Sequence, residues 1–284
     1  MSMPRLVISL TTIPSRFPEI GATLESLLAQ TAQVEEIRLN IPHRYRRFAD
    51  YDGSLPDVPK GIRIVRPKED LGPATKVLFT AEELRGEEDV QILLCDDDRR
   101  YAPDWAATLT AVQAERPSEA VALSGWEVDA RLGLASPAHR PLPRHHRRKR
   151  RWDWDYRWAR IRQQWELGTL KPTRRKPPRR LVDRAGYADV FEGYGGVVVR
   201  PDFFGPEAHE IPPVVWTVDD VWLSGQLARK GIGIWVPAGL YAPQTTAADD
   251  ADALWRNVID GADNPTANRK CAELMRDDYG VWTP

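Results

Sequence analysis

Cysteine is nearly absent. The 284 residues hold only Cys95 and Cys271, far apart and in no metal-ligand spacing, so a disulfide framework and a thiolate metal site are both excluded and a reducing cytoplasm is the expected location. Long apolar runs are missing as well: no window approaches eighteen uninterrupted apolar residues, so no transmembrane helix is expected. The opening MSMPRLVISLTTIPSRF carries a short apolar run that meets Pro14 and Arg16 with no small-residue cleavage site; it reads as a first strand and not as a signal peptide. Net charge is almost zero, at -1, with 42% hydrophobic and 29% charged residues. That is an ordinary soluble globular average, in a chain long enough for one large domain or two small ones. There is no internal repeat.

The first 125 residues alternate strand and helix. Arg5 to Leu10 (RLVISL), Glu36 to Ile41 (EIRLNI), Gly61 to Val65 (GIRIV), Val90 to Cys95 and Ala120 to Ser124 read as strands. Between them, Pro18 to Gln30 puts Ile20, Leu24, Leu27 and Leu28 on one helical face, Pro73 to Leu84 starts on a proline, and Pro103 to Ala114 forms a third helix. This order predicts an α/β fold with a mainly parallel central sheet flanked by helices. Further on, Val190 to Val199 (VFEGYGGVVV) reads as a strand with a glycine-rich interruption, Val218 to Lys230 as a helix ended by Gly231, and Ile232 to Val236 as a short strand. Two weaker helices are expected at Ala253 to Ile259 and Thr266 to Asp277.

Three consecutive aspartates, Asp96 to Asp98 in CDDDRR, leave the end of a central-looking strand. In α/β sheets that end faces the ligand crevice. If the chain stays extended there, Asp96 and Asp98 share a side and Asp97 takes the other. With no basic residue placed to neutralise them locally, the pair suits a hard divalent cation, Mg²⁺ or Mn²⁺, whose other ligands come from water and phosphate; Arg99 and Arg100 follow, and can pair with the aspartates or with phosphate. A polar loop capping the next helix is the plainer alternative. DLGPATKVL (Asp70 to Leu78) follows a strand and opens a helix, with Lys76 in its first turn, an arrangement that favours anions; an exposed Lys on an amphipathic helix is the alternative. TVDDVWLSGQLARKG (Thr217 to Gly231) sets Asp219 and Asp220 at a helix start. One can cap the helix, and the other can serve as general base toward an acceptor hydroxyl.

Taken in order, these segments resemble a nucleotide-sugar glycosyltransferase of the GT-A fold, closest to family 2. VISLTTIPSRF and LESLLAQT are similar to that family's first strand, nucleotide-binding loop and helix. DLGPATKVL resembles its second nucleotide-contacting segment, CDDDRRYAPDW its aspartate-x-aspartate motif with the trailing aromatic, Pro and Trp, and FEGYGGVVVRPDFF with DDVWLSGQLARKG its acceptor-side glycine segment and acidic-pair helix. The likeness covers residues 5 to 125 and 188 to 237. It implies one GT-A-like (Rossmann-like) domain over residues 1–284, with a nucleotide-binding half to 125 and an acceptor half with C-terminal helices from 188. It implies Asp98 on the metal, Asp96 on the ribose or assisting the metal, and Asp97 with them in the nucleotide-sugar site. Thr11, Pro14 and Arg16 would line the base and ribose pocket, and Asp70 and Lys76 would contact nucleotide or phosphate. Asp220 would be the base of an inverting transfer, with Asp219 contacting the acceptor side or orienting the base. The implied donor is a nucleotide diphosphate sugar, with UDP as carrier, used with Mn²⁺ or Mg²⁺. The implied acceptor is a glycan, lipid-linked or small-molecule hydroxyl, in bacterial-type glycan or glycolipid synthesis. Two departures stand out: the acidic pair is Asp-Asp where Glu-Asp is common, and the Gln-x-x-Arg-Trp segment of processive synthases is missing.

Residues 139–180 are a different kind of sequence. They carry sixteen Lys or Arg against three acids and four of the eleven Trp, leaving the remainder near -14. Trp154, Trp158, Ile161 and Trp165 form one stripe on a helix, with Arg157, Arg160 and Arg162 around it. Such a helix suits a peripheral contact with an anionic membrane through 144–180, at the inner membrane face, or an anionic acceptor; it can also simply cover the protein's own surface. A nucleic-acid-binding protein or metal-dependent nuclease using 139–180 is the rival reading. It leaves DLGPATKVL and FEGYGG unexplained, so nucleic acid is not the expected partner. A transferase-like domain that only binds a partner is a third reading, against which both acidic motifs stand.

Overall fold

The computed structural model describes residues 4–87, 89–148, 153–168, 177–252 and 263–284. In chain order the strands are β1 (Arg5–Thr11), β2 (Val34–Asn40), β3 (Ile62–Val65), β4 (Val90–Leu94), β5 (Arg99–Arg100), β6 (Ala120–Ala122), β7 (Gly125–Trp126), β8 (His146–Arg147), β9 (Val182–Arg184), β10 (Gly186–Ala188), β11 (Val190–Phe191), β12 (Val197–Val199), β13 (Ile234–Val236) and β14 (Gln244–Thr245). The helices are α1 (Gly21–Leu28), α2 (Leu78–Glu83), α3 (Trp105–Glu115), α4 (Val128–Leu132), α5 (Trp154–Glu166), α6 (Asp219–Arg229) and α7 (Asn264–Asp277).

Eight strands join in the order β10-β13-β6-β12-β4-β1-β2-β3. β3, β2, β1 and β4 are parallel, β6 and β13 run with them, and β12 and β10 oppose their neighbours. The expected α/β architecture with a mostly parallel sheet is therefore present. Its strands are apolar on both faces because both are covered. Val7, Ile92, Leu94, Val197 and Val199 pack with Leu78, Trp222, Leu223 and Met275 on one side. Ile8, Leu10, Leu93 and Val198 pack with Leu24, Leu27, Trp105 and Leu109 on the other. α2, α6 and α7 thus cover one face, and α1 and α3 the other.

The departures from the sequence expectations have local causes. The helix expected from Pro18 begins only at Gly21, because Pro14–Glu19 winds as a tighter 3₁₀ turn with Pro18 inside it. The helix expected from Pro73 begins at Leu78, after a 3₁₀ turn over Gly72–Lys76. The glycines of 190–199 divide that segment between two sheets: β11 pairs with β7, and β12 enters the main sheet between β4 and β6. The helix expected at 253–259 lies outside the described residues. No helix among the described residues is long and apolar enough to cross a membrane.

Candidate active site

β1 lies between β2 and β4, so the strand order reverses at the β1–β4 pair and a crevice opens beyond their carboxyl ends. Residues 11–16 leave β1 there and residues 95–98 leave β4. The antiparallel β12 brings its preceding turn, Gly193–Gly195, to the same end. The result is a cleft of about 370 Å³, lined by Thr11, Thr12, Arg16, Asp70, Lys76, Asp96, Asp97, Asp98, Glu192, Tyr194, Trp216, Asp219 and Asp220, among others.

The strand stops at Leu94, and Asp97 and Asp98 turn into β5. The alternation expected of an extended chain is therefore lost, and each aspartate has its own surroundings. Asp96 meets the buried Lys76, Nζ to Oδ1 at 2.5 Å. Asp97 accepts from Thr12 Oγ1 and Arg16 Nη1, both at 2.5 Å. Asp98 Oδ2 lies 3.3 Å from Arg16 Nη1 and its Oδ1 3.2 Å from Arg99 Nε, ion pairs in which the buried Oδ1 makes no hydrogen bond. A basic neutraliser for Asp96 does exist, then, twenty residues upstream. The turn is stitched down by late chain: β14 pairs with β5, the Thr246 amide donates to the Asp98 carbonyl at 3.0 Å, Arg99 reaches Asp249 at 3.2 Å, and Arg16 Nε donates to the Ala251 carbonyl at 3.0 Å.

Lys76 also lies 2.9 Å from Asp219 Oδ2. Burial works against its charge, but Asp219, Asp96 and Asp220 more than offset that and hold it protonated. Asp220 does not cap its own helix; its Oδ1 accepts the Gly193 amide at 3.0 Å. The carboxylates respond differently to this setting. Burial tends to raise Asp96, but Lys76 brings it below the usual range. Burial raises Asp97 and Asp219. Burial and the neighbouring charge of Asp219 raise Asp220 well above the ordinary value. Burial, with Asp96 and Asp97 nearby, pushes Asp98 up to about 7 against the pull of Arg99.

The glycine segment fits this cluster for steric reasons. A Cβ on Gly193 would stand 2.8 Å from both Asp220 Oδ1 and Lys76 Nζ. Gly196 has φ +96°, and a Cβ there would meet the Trp105 ring at 2.3 Å. Trp105 Nε1 donates to the Gly195 carbonyl at 2.7 Å. The Tyr101 hydroxyl accepts the Asp96 amide at 3.1 Å and sits 3.1 Å from the Tyr194 carbonyl. Tyr101 and Trp105 therefore clamp the aspartate turn to the glycine turn. Gly196→Ala is expected to cost roughly 2 to 4 kcal/mol, combining left-handed backbone strain with overpacking; urea unfolding checks this, and a loss below 0.5 kcal/mol would contradict the clamp.

Of the residues singled out in the sequence, Thr11, Arg16, Asp70, Lys76, Asp96, Asp97, Asp98, Asp219 and Asp220 all line the cleft; Pro14 does not, and instead starts the 3₁₀ turn. Asp70 spends its oxygens on the amides of Arg46 (2.7 Å) and Gly72 (2.9 Å), and Thr11 Oγ1 bonds the Asn40 carbonyl. Sequence reading passed over Tyr45, Arg47, Trp126, Arg131 and Trp216, which also line the cleft. Trp216 packs on Gly72 and donates from Nε1 to the Asp70 carbonyl at 3.2 Å; no spacing in the sequence signals that contact.

Nine carboxylates and five Lys or Arg line the cleft. A diphosphate would add to that negative excess, so a cation must accompany it. Asp98, whose Oδ1 makes an ion pair with Arg99 but no hydrogen bond, and whose carboxyl is raised, fits a hard divalent metal. Among the described residues another acidic group, Glu127, Asp129 and Asp189, brings its oxygens within 4.8 Å of one another. Its charge is already matched: Arg140 meets Asp129 and Asp189 at 2.9 and 2.6 Å, and Arg144 meets Asp189 at 2.6 Å as well as Glu127. This group is better suited to tying down 140–145 than to holding an ion.

No family model and no curated protein matches this chain. Solved structures do. One is a crystal structure of GalNAc-T7 with UDP, GalNAc and Mn2+, with 12% sequence identity, TM-score 0.50, and coverage of 99% of this chain and 49% of that chain. This chain spans about half the length of that one. The likeness supports the GT-A-like fold and does not single out family 2.

Proposed function

We propose that this chain is a metal-dependent glycosyltransferase that moves a sugar from a nucleotide diphosphate sugar to an acceptor hydroxyl. The observation that carries the reading is Asp98. A buried carboxylate, held by Arg16 and Arg99 only through ion pairs and raised by its acidic neighbours, sits at the switch point of a GT-A-like sheet in a cleft with excess negative charge. That combination calls for a cation, and a metal with a diphosphate meets the need. The GalNAc-T7 structure contains UDP and Mn2+, which favours UDP as donor carrier and Mn²⁺ as metal here.

In this reading Asp98, with Asp96 beside it, would hold the metal. When bound, the metal neutralises the leaving diphosphate and acts as a Lewis acid. Thr11 and Arg16 border the base and ribose side, and Lys76 supplies fixed positive charge near the phosphates. Asp220 takes the proton of the acceptor hydroxyl. Its carboxyl is raised by burial and by Asp219, which strengthens its proton affinity as a base requires, and Lys76 is paired with Asp219 instead. A single in-line displacement inverts the anomeric centre. The hexosyl type of the sugar and a place in glycan or glycolipid synthesis belong to the same proposal.

The test is a thermal-shift scan against uridine, guanosine, cytidine, adenosine and thymidine diphosphates, with and without Mn²⁺. A ligand at a hundred times its dissociation constant adds about 2.7 kcal/mol of apparent stability. Stabilisation by one nucleotide only when metal is present is the expected result; no shift with any of them would end the donor-site reading.

A further inference from the structure

α5 forms where the Trp stripe was expected, capped by Asp153, whose carboxylate accepts the Tyr156 amide at 3.2 Å and the Arg179 guanidinium at 2.8 Å. Tyr156 is buried and fixes one face of the helix to the body. The stripe points the other way. At 3.6 residues per turn Trp154, Trp158, Ile161 and Trp165 fall within about 60° of arc, roughly opposite Tyr156. They are 57%, 68%, 54% and 86% exposed, and Leu167 extends the patch. Packing on the protein's own surface therefore does not account for the stripe.

We infer that α5 is an interfacial anchor that lays its indole stripe into an anionic lipid surface. Three observations favour lipid over other occupants. The apolar face joins Trp to aliphatic Ile161 and Leu167, and indoles settle at the boundary between headgroups and acyl chains. Arg157 and Arg162 flank the stripe, and the Arg157 guanidinium stands 5.0 Å from the Trp154 ring centroid. The helix lies in the one strongly basic stretch, residues 139–180, of a chain whose remainder is acidic. A negatively charged bilayer would therefore attract this edge and repel the rest. Ile and Leu offer no stacking surface to bases, which disfavours a nucleic-acid partner.

The test uses the full chain with phosphatidylcholine vesicles made with and without phosphatidylserine, read by co-sedimentation and by the blue shift of Trp emission. Binding to the phosphatidylserine vesicles is expected to be at least tenfold stronger than to the neutral ones and to weaken with salt. Trp158→Ser with Trp165→Ser should reduce it at least tenfold while circular dichroism and the melting temperature stay as in the parent. The inference is overturned by failure to sediment, by equal binding to both vesicles, or by undiminished binding of the double variant. It is equally overturned by a concentration-dependent dimer that buries the Trp residues, or by a single-stranded RNA that quenches them where vesicles do not.

Discussion

Asp98→Asn is expected to stabilise the metal-free protein and to abolish metal-dependent nucleotide binding. The two effects have one source. Asp98 is a buried charge that Arg16 and Arg99 only partly offset, with a carboxyl pushed up to about 7. Asparagine keeps its shape and removes its charge, while Arg16 retains Asp97 and Arg99 retains Asp249. At pH 8 the gain without metal should be roughly 1 to 3 kcal/mol, since each unit of displacement is worth about 1.4 kcal/mol. The sign of the pH dependence follows. A carboxyl raised on folding favours the folded state below its unfolded value, and that advantage is lost as the pH rises through 7. Metal-free wild type should thus gain stability on acidification from pH 8 toward 5. Asp97, Asp219 and Asp220 slope the same way, so the decisive quantity is the difference between variant and parent. With UDP and Mn²⁺ the parent should gain about 2.7 kcal/mol at a hundredfold excess over the dissociation constant, and the variant close to nothing. An equal metal-dependent shift in both proteins would remove Asp98 from the site.

Asp220→Asn should leave donor binding unchanged and lower turnover by about 10² to 10⁴-fold, the usual contribution of a general base. The asparagine oxygen can still accept the Gly193 amide, so the clamp at the glycine turn survives. Asp219→Asn is the informative companion. It removes one partner of Lys76 and leaves Asp96 as the other, so its main effect should fall on the stability of the cluster. Binding is measured by thermal shift and turnover by release of the nucleotide diphosphate from a panel of nucleotide sugars. Turnover of Asp220→Asn within threefold of the parent would move the base to another group.

Much of this was legible in the sequence, for identifiable reasons. β1 and β4 are dense runs of branched apolar residues because both sheet faces are covered, and the turns after them line the cleft, so RLVISL-TTIPSR and VQILL-CDDD marked strand and cleft together. Asp219 and Asp220 were visible because two acids at one helix start exceed what a single cap needs. Contacts between distant segments were not legible. Nothing in the spacing of Lys76 and Asp96 tells that one neutralises the other, and nothing in Gly72 or Trp216 tells that they meet. The reversed direction of β12 was hidden as well, because three valines buried on both faces read the same in either orientation.

The stitching of the aspartate turn also bears on how the protein is made. Synthesis delivers β1 to β4 early, and those strands can pair and bury their apolar faces as they emerge. Asp97 and Asp98 by then have Arg16 and Arg99 for company, but the Thr246 amide, Asp249 and the Ala251 carbonyl are still to come. The aspartate turn is therefore the last part of that half to acquire its fixed geometry. A nascent chain should become competent for metal and nucleotide only after residue 251 has cleared the ribosome, well after the sheet that carries the site has formed.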